Sequence, residues 1–185
     1  MFIGTTMPTN DNIIEEGLRK ARIAIYNNLW ECLKKTAYNL LSDAVDIYRS
    51  HNTNLTGNTF TSLAAGVYCI DRPYPEAVFA KDLFGLKDPV WHKLSKGDVF
   101  NGEDYNGKNR SFTGSIETDG DYGYNTSYHF LLNYKLPPDN VLGIVVCTGT
   151  EYSEYLQNKR KVDVLLGCYK DSPYILEQHI RTLKM

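Results

Sequence analysis

The side chains able to do chemistry in this sequence are scattered. Its four histidines, His51, His92, His129 and His179, fall one to a region. None accompanies a nucleophile in a local pattern such as GxSxG or HExxH, so no acyl-transfer or zinc-hydrolase signature is present. The segment Asp119-Gly120-Asp121, with Glu117 close by, has the oxygen-rich character of a calcium loop. It lacks the further ligands and the terminal bidentate glutamate that such a loop requires, and reads as a solvated turn. Asn101-Gly102 and Asn106-Gly107 are hairpin-turn signals, and no Gly-rich phosphate cradle occurs. The four cysteines, Cys32, Cys69, Cys147 and Cys168, form no CxxC pair and have no histidine at ligand spacing. Each lies in an apolar or half-apolar stretch, which predicts free, reduced thiols. The expectation is a protein with no catalytic residue, no metal and no cofactor. A small metal-dependent hydrolase using Asp119, Asp121 and His129 is the weakest of the readings the residues allow.

The elements that must position these residues set the class of protein. The chain has 185 residues, of which 42% are hydrophobic and 23% charged, in the range of a soluble globular fold. Twenty Lys and Arg against 22 Asp and Glu leave a net charge of -2, which argues against a protein built to grip nucleic acid or an anionic membrane. No apolar run approaches the roughly 20 residues that span a bilayer, and Met1 to Asn12 has no signal-peptide pattern.

Residues 1–10 read as a flexible arm, and 11–185 as a single α+β domain with a long insertion at about 71–134. From Asp11 to Ser50 there is no proline and one glycine, Gly17. Apolar residues recur there at helical spacing through Ile14, Leu18, Ala21, Ile25, Leu29, Leu33, Ala37, Leu40, Ala44 and Ile47. Such a helix would be close to ~60 Å long, more than a compact domain of this size can cover. The expectation is that one end projects and packs on another chain, in preference to a break at Asn27-Asn28. Further on, a strand is predicted at Gly66–Ile70, a short helix around Ala77-Val78-Phe79 and Leu83-Phe84, and a hairpin or loop excursion through Ser95–Asn125. Tyr128–Tyr134 suits a strand or a helix. Strands are predicted at Val141–Thr148 and Val162–Tyr169, and a final helix capped by Asp171 or Ser172 with Pro173 in its first turn. The two terminal helices are expected on one face of a small antiparallel sheet.

Fourteen tyrosines, seven phenylalanines and two tryptophans exceed what a small sheet can bury on one face. Trp30, Trp91, Tyr122, Tyr124, Tyr152, Tyr155 and Leu156 are the candidate anchors of an interface between subunits or with a partner.

The run Gly143-Ile144-Val145-Val146-Cys147-Thr148-Gly149-Thr150-Glu151-Tyr152-Ser153-Glu154-Tyr155-Leu156 resembles the strand and G-T-x-Y-x-x-Y element of tail-completion and neck proteins of tailed bacteriophages. Ser172-Pro173-Tyr174-Ile175-Leu176 stands where that family opens its terminal helix. Leu55-Thr56-Gly57-Asn58, followed by Ser62-Leu63 after a long N-terminal helix, matches the family order. The matching parts cover roughly half the chain, and the excursion at 71–134 is longer than the hairpin expected there. The resemblance implies a non-enzymatic virion protein, assembled in the host cytoplasm as a homo-oligomeric ring at the head–tail junction. Its partners would be the portal or adaptor ring and tail proteins, with DNA only as non-specific cargo in a channel and no membrane. In that setting Asp98, Glu103, Asp104, Glu117, Asp119 and Asp121 would line a DNA channel or face a partner. The alternative class is a stand-alone protein-binding module of the effector or immunity type.

Overall fold

The computed structural model describes residues 10–51, 58–84, 94–103, 108–114, 121–150, 158 and 162–183. Helix α1 (Asn10–Ser50) is unbroken over 41 residues, so the Asn27-Asn28 break does not occur. A short turn of helix, α2 (Asn58–Thr61), leads into β1 (Leu63–Cys69), followed by β2 (Glu76–Phe79) and α3 (Ala80–Phe84). A hairpin, β3 (Val99–Glu103) and β4 (Asn109–Thr113), occupies the excursion. Then come α4 (Tyr122–Asn133), β5 (Leu142–Thr148) and the C-terminal helix α5 (Val164–Arg181). The sheet has the order β2-β1-β5, all antiparallel, and the hairpin forms a separate two-stranded sheet. The fold is α+β.

The pleat of β1 divides the core into two layers. Leu63, Ala65 and Val67 point toward α1, where they meet Trp30, Leu33, Ala37, Leu40, Leu41 and Ala44. Ile144 and Val146 of β5 join the same face, and α5 lies against α1 through Val164, Cys168 and Leu176. Ala64 and Tyr68 point the other way, onto Leu131 of α4 and Phe79 of β2. The terminal helices therefore share one face of the sheet, as expected, while α4 covers the other. Gly66 makes that cover possible, since a Cβ there would come within 2.8 Å of the Tyr68 ring and 3.1 Å of Leu131. Tyr68 is buried, and its hydroxyl donates to the Leu131 carbonyl at 2.7 Å. Tyr68→Phe leaves that buried carbonyl without its hydroxyl donor and is expected to cost ~1–2 kcal/mol, read as a lower urea midpoint at unchanged m. An unchanged midpoint would mean the bond contributes nothing.

Several local expectations are corrected. Val162–Tyr169 is not a strand; from Val164 it is the first two turns of α5, with Val164 and Cys168 buried at i, i+4. A short apolar run carries both periodicities, and packing against α1 selects the helical one. The final helix thus starts well before Asp171. Pro173 falls inside it, not in the first turn. The missing Pro173 N–H would have served the Tyr169 carbonyl, which instead accepts from the Ser172 hydroxyl at 3.0 Å. Ala77–Phe79 is strand, paired to Ala64–Gly66, and not helix. Tyr128–Asn133 is helical. The first strand begins at Leu63, three residues earlier than Gly66.

Candidate functional site

Two features outside ordinary core packing stand out: a joint of hydroxyls and glycines where four elements meet, and the bare N-terminal part of α1.

The joint brings the end of α1, the α2 turn, the start of α4 and the end of β5 together. The Asn58 side chain on α2 accepts from the Gly123 N–H at 2.6 Å, taking the capping role for α4 that Asp121 leaves open. The Ser127 hydroxyl, one turn further along α4, donates to the Ser62 carbonyl at 2.5 Å. The Ser62 and Thr148 hydroxyls lie 2.6 Å apart, tying α2 to the end of β5. Tyr48 of α1 bonds to Thr148, and Cys147 to Ser127. Such close approach requires two glycines. A Cβ on Gly123 would meet Asn58 Oδ1 at 2.5 Å, and one on Gly149 would press on the Gly123 carbonyl and lie 2.7 Å from the Ser127 nitrogen.

The chemistry of this joint is that of a lock. The Ser62 and Ser127 hydroxyls donate to backbone carbonyls, and Ser62 also meets the Thr148 hydroxyl. Burial pushes the Tyr48 hydroxyl up to about 12 and the Cys147 thiol up to about 11, so neither is an activated nucleophile at neutral pH. Cys168 is likewise raised to about 11, first by burial and then by Asp43 and Asp171. The four cysteines are unpaired thiols.

For Cys147 and Cys168 the native state holds its proton above the ordinary value of 9.0, where the unfolded chain gives it up. Their contribution is complete below pH 9 and is lost as pH rises toward 11, on the order of 2–3 kcal/mol per thiol. Denaturant unfolding at pH 8, 9.5 and 11 should show that decline, and a Cys147→Ser, Cys168→Ser variant should make it shallower, leaving the part that the raised Tyr48 and Tyr68 hydroxyls contribute above pH 10. An equally steep decline in the variant would assign the effect elsewhere.

Asp121 does not join His129 in a metal site. It forms an ion pair with Lys81 at 2.9 Å, while His129 sits exposed two turns along α4, against Tyr128. Among the described residues no three His, Cys, Asp or Glu converge to hold a metal ion. Asp119, Glu117 and Asp104 lie outside the described residues, as do Trp91, Tyr152, Tyr155 and Leu156. Of the acidic set, Asp98 accepts from the Ser95 N–H in the turn before the hairpin, and Glu103 ends β3 exposed. Asp121 stands at the N-terminus of α4.

Trp30 is corrected from interface anchor to core residue. It is 5% exposed, bonds Glu76 through Nε1 at 3.2 Å, and carries Arg72 over its ring at 4.0 Å. Tyr124 packs half-buried on Phe79 with Lys81 over its ring, and Tyr122 is half-buried beside it in sequence. Among the described aromatics, Trp30, Tyr48, Phe60, Tyr68, Phe79 and Phe100 are buried, while Tyr38, Tyr74, Tyr128, Phe130, Tyr169 and Tyr174 stay exposed.

The arm of α1 is the opposite case. Every residue from Asn10 to Ile25 is exposed, so about 24 Å of helix stands clear of the core. Ile13, Ile14, Leu18, Ile23 and Ile25 are between 47% and 68% exposed. Ile14, Leu18, Ala21 and Ile25 form one stripe. At 100° per residue it is turned by roughly 120° from the Trp30, Leu33, Ala37 and Ala44 stripe that enters the core. The buried side of α1 is wide, since Cys32 and Thr36 are buried on the same side as the arm's stripe, and Ile14, Leu18 and Ile25 carry that side on into water. The i, i+3 and i+4 spacing was legible in the sequence; that the N-terminal end is the one that projects was not.

No model of a known protein family, no curated protein and no solved structure matches the chain.

Proposed function

We propose that this protein is a structural subunit of the head–tail junction of a tailed phage, a neck or tail-completion protein that acts as a homo-oligomeric ring and performs no covalent step. The observation that carries this reading is the bare N-terminal part of α1, an ordered helix with an apolar stripe that its own domain leaves in water. A second subunit can cover it, and repeated head-to-tail contact closes into a ring. The sequence resemblance to neck proteins supports the same assignment. The stretches that carry it, around Asn58-Ser62 and Thr148-Gly149, meet in a joint that stiffens the domain at the root of the sheet. No described helix is long and apolar enough to cross a membrane.

The ring joins its neighbours by shape and side-chain contact. Electron microscopy of the purified protein tests the reading: closed rings with an axial opening are expected, and uniform single particles of monomer size would overturn it.

A further inference from the structure

Two sets of like charges lie far apart in this subunit, each without a partner of opposite sign. The first lines a crevice of about 350 Å³ where the root of the α1 arm meets the end of the sheet. Arg72, just past β1, lies over the Trp30 ring at 4.0 Å, and Arg22 of the arm lies 5.9 Å from the centre of the Tyr26 ring. These aromatic faces hold both guanidinium groups in place, and Trp30, Cys69 and Leu142 give the crevice an apolar lining. Glu76, which reaches Trp30, is already taken by Lys34 at 2.9 Å and by the Trp30 N–H. Asp71 also lines the crevice, yet among the described residues no carboxylate forms an ion pair with either arginine.

The second set is at the other end of α1. Asp43 and Asp46 lie one turn apart on it, beside Asp171 of α5, and burial together with these two like charges raises the Asp43 carboxyl. All three are exposed, and among the described residues none of them forms an ion pair. Lys170 precedes Asp171 and still leaves the patch acidic. Tyr174, one turn beyond Asp171, is 65% exposed and adds an aromatic ring to it.

The two sets cannot neutralise each other within one subunit. Arg22 and Asp43 lie ~32 Å apart along one helix, about four screening lengths at physiological salt. A second copy removes both deficits. We infer that the Arg22–Arg72 crevice of one copy receives the Asp43–Asp46–Asp171 patch of the next, with the Tyr174 ring covering the apolar lining. Two crevices, or two patches, repel, so the contact joins unlike ends and repeats head to tail. Arginine, tryptophan and tyrosine are the side chains that anchor interfaces most often. The inference rests on the ring reading and supplies what sets the order of neighbours, while the apolar stripe of the arm supplies most of the affinity.

Sedimentation of full-length charge-reversal variants tests it. Arg22→Glu with Arg72→Glu makes both ends acidic, and Asp43→Lys with Asp171→Lys makes both basic. Each variant alone is expected to self-associate ~10-fold more weakly than wild type. In an equal mixture the unaltered ends meet each other and so do the reversed ends, and association should return to within ~3-fold of wild type. Wild-type association of either variant alone would overturn the contact and leave the ring intact. Loss in each variant without recovery in the mixture would do the same. A wild-type protein that never assembles overturns both. Arg22→Glu alone, on the exposed arm, takes the place of the double variant if removing Arg72 from the Trp30 ring unfolds the chain.

Discussion

Gly149→Ala is expected to lower stability by ~3–5 kcal/mol, at the upper end for an overpacked methyl group. The added carbon would press on the Gly123 carbonyl and lie 2.7 Å from the Ser127 nitrogen and 2.8 Å from its hydroxyl. Two of those three atoms are backbone, so no side-chain rotation relieves the contact. α4 must move off β5, and the Asn58 and Ser62 bonds to α4 are lost with it. A domain of this size loses ~2–4 °C per kcal/mol, so a fall in Tm of ~10 °C or more is expected. Gly17→Ala is the control. Nothing lies within 4 Å of its position, and alanine in a helix interior should leave Tm unchanged or raise it. A Tm for Gly149→Ala within 2 °C of wild type, less than ~1 kcal/mol, would mean that α4 is not locked to β5 here.

Leu18→Asp is expected to do the reverse, leaving the fold untouched and abolishing assembly. Leu18 is 68% exposed and central in the Ile14–Ile25 stripe, so the subunit loses no packing of its own. In an assembled ring the same residue is desolvated, and a carboxylate there costs several kcal/mol without a partner. A ~100-fold or greater weakening of self-association is expected by sedimentation or light scattering, with far-UV signal and monomer Tm as in wild type. Ile23→Asp, on a different side of the same arm, should weaken association far less. Equal effects at both positions would show that the arm is not read through one stripe.

The parts of this fold that were legible in the sequence are those fixed by long patterns. Helix α1 declares itself by ten apolar positions at helical spacing and the absence of proline, and β5 by a continuous β-branched run. Short apolar runs misled: Val162–Tyr169 and Ala77–Phe79 each suit either element, and packing against neighbours decided between them. The joint was only half legible. Asn58, Ser62 and Gly149 were singled out by resemblance, but Gly123 and Ser127 sit in a Gly- and Tyr-rich segment with no pattern of its own. Their role arises from α4 crossing the sheet, a contact 65 residues away in sequence. Trp30 failed as an interface anchor for a related reason, since its ring is claimed by Glu76 and Arg72 from the strand end that folds back over α1.

The claim on which the functional reading depends is that a lone subunit leaves the α1 arm uncovered and copies of the chain cover it. Native mass spectrometry of the purified full-length protein at micromolar concentration addresses this most directly. The expected spectrum is dominated by one closed multiple of the 21.1 kDa chain, reverting to monomer in the Leu18→Asp variant. A spectrum of 21.1 kDa monomer alone, unchanged by raising the concentration to the millimolar range, would contradict it.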